Sequence, residues 1–300
     1  MIENILLLLQ NPVALLDLVL QGLLVGAVFA LIAYGMALVW GVMNIINISQ
    51  GEFVILGGFI AFYFSQWGIS PLFAVPAAAG ALYAIGWVLY RIVIYRVVDK
   101  DLFISILATF GISISFQQIM NEALTADVEV ANHGLGTWSF VGGDITVEQI
   151  RLVALVFALL IGVLLAIYMR RSRAGQAIRA TAQNPRAARI MGINTDQVYA
   201  RTYALNAALC GAAGALVAMI WAVQAYGGLV YTVRAFMIVI LAGLGNLVGV
   251  IVAGIGLGAA ENLAGFILGL EFQIAFVFGL LVVVLIYRRI RLGFARRVLS

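Results

Sequence analysis

Formal charge is scarce in this 300-residue sequence: 17 Lys and Arg with 13 Asp and Glu make up 10% of it, against about a quarter in a soluble domain. With 64% of residues hydrophobic, that scarcity excludes an ordinary globular enzyme. A bilayer span takes roughly 20 mainly apolar residues, so the chain holds enough for about nine spans and no soluble domain of normal size. The one cysteine, Cys210, excludes an internal disulfide framework and a cysteine-based metal site. The one histidine, His133, removes every motif that needs two, the zinc-protease pair included. The one lysine, Lys100, follows Tyr95-Arg96-Val97-Val98-Asp99, and no Gly-x-x-x-x-Gly-Lys phosphate loop occurs. The chain therefore has no P-loop for ATP, and any nucleotide energy must come from a separate subunit. No Ser/His/Asp, Cys/His or paired-carboxylate arrangement points to catalysis. Proline is sparse too, 4 residues against 32 glycines, and so much glycine suits helix interiors only where close helix contact favours small side chains.

The start, Met1-Ile2-Glu3-Asn4, lacks a basic n-region, and Gln10-Asn11-Pro12 cuts the apolar run Ile5 to Leu9, so no cleavable signal peptide is expected. The basic residues gather in three clusters: Arg91, Arg96 and Lys100; Arg170, Arg171, Arg173, Arg179, Arg186, Arg189 and Arg201; and Arg288, Arg289, Arg291, Arg296 and Arg297. The positive-inside rule puts all three on the cytoplasmic side. The stretch 121–150 carries Glu122, Asp127, Glu129, Asp144 and Glu148 without Lys or Arg, and is expected outside. The net charge of +4 thus reports orientation rather than nucleic-acid binding.

Apolar segments near 19–41, 53–67, 72–90, 102–120, 151–169, 203–222, 229–245, 247–267 and 272–287 read as spans or broken spans. Keeping every basic cluster inside requires 229–245 and 247–267 to be separate crossings. The expectation is an all-α polytopic membrane protein, one transmembrane domain over 1–300 with nine crossings and the N-terminus outside. An eight-span version with a re-entrant segment is the rival. Two polar breaks interrupt the pattern: Asn44-Ile45-Ile46-Asn47-Ile48-Ser49-Gln50-Gly51-Glu52 and Gly243-Leu244-Gly245-Asn246. Broken helices at membrane depth persist only where freed backbone groups meet protein or a water-filled cavity, so both breaks are candidate pathway or gating elements. Their placement hints at an inverted repeat. Gly254, Gly258, Gly265 and Gly269 form two Gly-x-x-x-Gly pairs whose offset of eleven residues returns to within about 20° of the same direction. They are assigned to one helix-packing face, with a subunit interface or pore wall as alternatives; Gly22 with Gly26 and Gly245 with Gly249 repeat the spacing.

Within the cytoplasmic loop 170–202, Asn184 suits an N-cap, Pro185 the first helical position, and Gly192 the residue past the end. A helix of about two turns is expected, with Ala187, Ala188 and Met191 as a small apolar knob between Arg186 and Arg189, shaped to enter a groove on another protein. A solvated topogenic loop is the plainer alternative. Ser49 to Glu52 fits a capping box, which would give Glu52 a purely structural role. A carboxylate near membrane depth is nevertheless a functional candidate, and Asn44, Asn47, Ser49 and Gln50 lie beside it. Glu261, inside a span, is expected to face the bundle or another subunit, and Arg234 to sit at the outer interface. The acidic outer loop could dock a binding protein or simply be solvated.

The runs Gly26 to Gly35, Asn44 to Phe53, Arg173-Ala174-Gly175 through Met191-Gly192-Ile193-Asn194, and Ala235-Phe236 through Gly245-Asn246 resemble the permease subunits of branched-chain amino-acid ABC importers, specifically the shorter LivH-type subunit, over nearly the whole chain. The resemblance implies that the loop around 184–192 contacts ATPase subunits. It also implies a second, LivM-type permease subunit, two ATPases that bind ATP and Mg, a substrate-binding protein outside, no cofactor in this chain, and a bacterial inner-membrane location. Gln50 stands where many relatives carry histidine, and Asn246-Leu247-Val248-Gly249 replaces a more usual Ser-x-Pro-Gly, which keeps urea and short-amide importers open as alternatives. An ion-coupled secondary transporter would need mid-span carboxylates, of which Glu261 is the one candidate. A channel or scaffold would not need a capped cytoplasmic helix.

Overall fold

In the computed structural model a short helix, α1 (Ile2–Gln10), leads into α2 (Pro12–Met43). Asn11 caps α2 by accepting from the backbone N–H groups of Val13 and Ala14, with Pro12 at the first helical position. Its 32 residues measure about 48 Å at 1.5 Å per residue, longer than the hydrocarbon core is thick. There follow α3 (Gln50–Gln66), α4 (Ala74–Ile92), α5 (Leu102–Ala123), the strands β1 (Thr137–Phe140) and β2 (Ile145–Glu148), α6 (Gln149–Arg171), α7 (Arg173–Gln183), α8 (Pro185–Ile190), α9 (Thr195–Ile220), α10 (Gly228–Ala242), α11 (Leu247–Leu268) and α12 (Phe272–Val298). The structure describes residues 2–98, 100–140, 145–243 and 245–298. Asp99, Asp144 and Leu244, and the side chains of Arg288, Arg289, Arg291, Arg296 and Arg297, lie outside what it describes.

The chain is a polytopic membrane protein. Six helices among the described residues are long and apolar enough to cross a bilayer, namely α2, α4 with its flanking 3-10 turns, α5, α6, α9 and α11. Of the most apolar window of α9, 83% is buried, against 22% for α5 and 28% for α6. The alanine- and glycine-rich α9 is therefore the centre, and α5 and α6 turn most of their apolar surface outward, as lipid-facing helices do. The strands pair antiparallel, Thr137 opposite Glu148 and Phe140 opposite Ile145. This hairpin is tied to α2 where the Thr146 N–H donates to Asp17 Oδ1 at 3.1 Å. Glu129 and Val223 form a separate bridge.

Small residues set the helix spacing. A Cβ on Gly22 would lie 2.6 Å from Ala259 Cα, and one on Gly26 would lie 2.6 Å from the Gly254 carbonyl oxygen. The pairs Gly22/Gly26 and Gly254/Gly258 thus bring α2 and α11 to backbone contact, antiparallel, as small-x-x-x-small stripes allow. Gly265 instead packs against the Gln273 side chain. The expected four-glycine face ends there, because α11 stops at Leu268 and Gly269, at φ +108°, is its C-cap. Gly245 and Gly249 form no packing pair among the described residues either: open space surrounds Gly245 there, and Gly249 abuts Asn246.

Packing partners repeat. In the first half α3 meets α4 and α5, and in the second α10 meets α11 and α12, while α2 packs on α11 and α9 on α4. Helices α2 and α9 run antiparallel, since Phe29 stacks on Trp221 while Gly35 faces Asn206. Elements α2 to α5 and α9 to α12 therefore correspond as an inverted repeat does. The correspondence corrects one expectation: the partner of the break at 44–49 is the segment 221–227, between α9 and α10, and not Gly243 to Asn246. Helices α3 and α10, of 17 and 15 residues, reach only about 25 and 22 Å. Each completes its passage with the non-helical segment before it, which makes these the two broken spans.

Candidate functional site

The two half-length helices begin at the same place. Gly51, in the first turn of α3, sits so close to Gly228, the first residue of α10, that a Cβ on Gly51 would overlap the Gly228 carbonyl oxygen. From there α3 follows α9, with Phe53 against Tyr203 and Gly58 against Ala218. Helix α10 follows α2, with Phe236 stacked on Trp40. Because α2 and α9 are antiparallel, the half-helices diverge toward opposite sides, and their N-termini, each carrying partial positive charge, converge in the middle of the bundle.

Non-helical backbone this deep needs partners that water cannot supply, and threonines supply them. Thr232 Oγ1 accepts from the Gly51 N–H at 2.9 Å and donates to the Ile48 carbonyl at 3.0 Å. Thr109 Oγ1, on α5, accepts from the Ile48 N–H and reaches the Ile46 carbonyl, both at 3.2 Å. Gln50 Nε2 donates to the Ile32 carbonyl at 2.8 Å. Ser49 Oγ donates to Asn47 Oδ1 at 2.7 Å, and the Tyr203 hydroxyl donates to the same oxygen at 3.4 Å. Glu52 Oε1 accepts from Ser113 Oγ at 2.9 Å and Gln117 Nε2 at 2.8 Å.

These bonds replace the expected capping box. Ser49 makes no side-chain cap, and Glu52 turns away from it toward α5 and Gly228. Asn47, Ser49, Gln50 and Glu52 are fully buried, whereas Asn44, in left-handed conformation at φ 53°, is exposed and ends α2. Asn47 Nδ2, Gln50 Oε1, Glu52 Oε2 and Asn206 Nδ2 are buried and find no hydrogen-bond partner among the described residues. Four such atoms in one seam are unusual for a finished core, and they leave the seam with donors and acceptors to offer. The second predicted pathway element is not part of it. Gly243, Gly245 and Asn246 lie at the far end of α10, where Gly245 and Asn246 are exposed and Asn246 caps α11 through the Gly249 N–H. Thr109, Ser113, Gln117, Tyr203, Asn206 and Thr232 carry no motif in the sequence, because they lie on three different helices, α5, α9 and α10, and meet only in the fold. The four-residue spacing of Ser113 and Gln117, which puts them on one helix face, was the available signal.

The loop 170–202 forms as its capping residues dictate. Asn184 Oδ1 accepts from the Ala187 N–H at 3.0 Å, Pro185 opens α8, and Gly192 at φ +84° closes it. Arg186, Ala187 and Arg189 are exposed, and Arg189 Nε donates to Thr195 Oγ1 at 2.6 Å. The knob differs from the expected one: Ala188 is 4% exposed and packs inward, whereas Ile190 and Met191 are 85% and 81% exposed. Met191 lies just past the six-residue helix, as its C-cap, and so turns outward while Ala188, inside it, faces the bundle.

Arg234 is not an outer-interface residue. Its Nε donates to both oxygens of Glu261 at 3.1 Å, Nη2 also bonds Oε1, and the two side chains are 13% and 5% exposed. Glu261 faces the bundle, as expected of a charge inside a span. Among the described residues no group of three His, Cys, Asp or Glu side chains gathers to hold a metal ion.

An inverted repeat with two broken spans meeting at a buried polar seam is an architecture shared by many membrane transport proteins. The sequence profile of the branched-chain amino acid transport system permease component matches residues 18–285. The chain is 30% identical over 281 residues to the high-affinity branched-chain amino acid transport system permease protein LivH of Salmonella typhimurium, covering 89% of this chain and 91% of that one. It is 30% identical over 289 residues to the permease protein BraD of Pseudomonas aeruginosa, covering 91% and 94%, and 25% identical over 273 residues to a probable LivH of Methanocaldococcus jannaschii, covering 87% and 84%. No solved structure matches. The chain belongs to the branched-chain amino acid transport permease family and is a permease subunit of an ABC importer.

Proposed function

We propose that this chain is the LivH-type half of a permease for branched-chain or related small apolar amino acids, in the bacterial inner membrane, with its basic loops and C-terminus in the cytoplasm. It performs no chemistry. A LivM-type permease subunit completes the pathway, two ATPase subunits bind ATP and Mg, and an extracytoplasmic binding protein delivers substrate. The observation that carries this reading is α8, a helix capped at both ends that offers Ile190 and Met191 at 85% and 81% exposure in a loop of seven arginines. A topogenic loop needs the arginines but neither the caps nor the apolar pair, and a groove on an ATPase uses all three. The seam around Asn47, Gln50 and Glu52 is the gating element, because strokes at α8 reach it through α9, which carries Tyr203 and Asn206.

Purification of the chain from its native membrane tests this reading. An ATPase and a second permease should accompany it, and leucine uptake into vesicles should require ATP and the binding protein. A lone homodimer with ion-driven uptake would make it a secondary transporter, and uptake of urea in preference to leucine would move it to the short-amide importers.

A further inference from the structure

Between α2, α10 and α11, at the end of the bundle that carries the hairpin, lies a pocket of about 480 Å3, within the range of about 300–1,000 Å3 typical of small-molecule sites. Arg234 and Glu261 line it together with Arg151, Phe29, Trp221 and Tyr231. Charged side chains inside membrane spans are rare and mark pathways. This ion pair borders the open space of the pocket. Phe29 stacks on Trp221 with ring centroids 5.7 Å apart, and the Arg234 guanidinium lies 4.8 Å above the Phe29 ring. The pocket thus has an aromatic wall with charges of both signs along one edge. The second guanidinium, Arg151, is held by Glu148 at 3.0 Å and by Gln21 at 2.8 Å.

We propose that this pocket is a transit site for the zwitterionic head of an apolar α-amino acid, Arg234 taking the carboxylate and Glu261 the ammonium, with the side chain against Phe29 and Trp221. The inference rests on the chain's being an amino-acid permease and adds the residues that read the substrate. An amino acid entering between the two side chains exchanges one ion pair for two of the same kind, so no buried charge is left alone at any stage, which is the costly condition. An amino-acid amide, which keeps the ammonium and lacks the carboxylate, satisfies Glu261 but strips Arg234 of its partner, and a simple carboxylate does the reverse. Competition from the resident pair keeps binding weak, as a step that must also release its ligand requires.

The test uses the intact importer purified from native membranes, with Gln273→Cys at the pocket edge as a reporter. Cys210 is buried, so the new thiol is the reactive one in this chain, and its modification by a charged methanethiosulfonate is followed by mass. Millimolar leucine should slow modification at least threefold, whereas leucinamide and 4-methylpentanoate should not. The charge-neutral double variant Arg234→Gln/Glu261→Gln should abolish the protection. Asn262→Cys, also at the pocket, gives a second reporter should the first fail to assemble. Equal rates with and without leucine, or equal protection by leucinamide, would overturn the site. If ATPases co-purify and leucine is transported without protecting the thiol, the site fails and the permease reading stands. If leucine protects a chain that carries no ATPase, the permease reading fails and the site stands.

Discussion

Gly51 and Gly228 meet without room for a methyl group between them, and this meeting joins the two halves of the protein. Two helix starts can approach so closely only where neither carries a side chain. Gly51→Ala or Gly228→Ala should therefore push α3 and α10 apart and cost at least the 1–3 kcal/mol usual for overpacking, read as a lower melting temperature and a lower yield of assembled permease. A methyl group on Gly111, on α5, would meet no atom of the described residues within 4 Å. Gly111→Ala should be neutral or stabilising by about 0.5–1 kcal/mol. Equal melting temperatures for the Gly51 and Gly111 variants would refute the close approach.

Glu52 is held from a single helix, by Ser113 at 2.9 Å and Gln117 at 2.8 Å. Gln117→Leu removes one donor from a fully buried carboxyl group, and the expected loss is about 1–3 kcal/mol. Ser113→Ala should cost about the same, and the double variant less than the sum, because Gln117 also reaches Ser113 at 3.5 Å. Thermal melts of the three variants in one detergent check this, and strict additivity would show that the two donors act independently.

At α8 the side chains divide by burial. Ala188→Glu forces a charge into the packing between α8 and α9 and should unfold the loop, reducing the amount of folded protein. Ile190→Asp and Met191→Asp leave the fold unchanged and should lower ATPase co-purification and amino-acid uptake together by tenfold or more. Unchanged uptake in the Ile190 and Met191 variants would remove α8 from the docking surface.

Much of this was legible from residue pattern. Asn184-Pro185 and Gly192 fixed a short helix because each cap demands a particular residue type. The Gly22/Gly26 and Gly254/Gly258 spacing announced two stripes, though not that they would meet each other, since partner choice between helices is set by the whole bundle. The break at 44–52 was visible because polar residues crowd it. Its repeat mate at 221–227 was not, because Trp221-Ala222-Val223 is as apolar as a span, and the backbone N–H and carbonyl of Val223 pair with Glu129, far away in sequence. Gly243 to Asn246 drew attention by composition alone, and glycine with asparagine serves a surface turn as readily as a buried break. Arg234 was misread for a related reason: a lone arginine shows its partner only once α11 is folded against α10.

The single histidine gives a pH-dependent signal that can be read without interference. His133 lies in the loop that precedes the hairpin, half-buried, and its Nδ1 accepts from the Leu135 N–H at 3.0 Å. A protonated imidazole has no lone pair at that atom, so the turn holds only the neutral ring. Burial lowers its pKa below the ordinary value of about 6.5, and the nearby Glu148 carboxylate, acting the other way, does not reverse this. A folded-state pKa below the unfolded one means that the unfolded chain takes up the proton first as the pH falls. The contribution to stability is therefore whole above about pH 6.5 and is lost as the pH drops through the lowered folded value. With nitrogen-labelled histidine the protein should give one titrating imidazole with a midpoint below that of a free histidine peptide, and His133→Gln should flatten the melting temperature between about pH 5 and 7. A midpoint at or above the peptide's would mean that Glu148 outweighs burial, and the sign of the pH dependence would reverse.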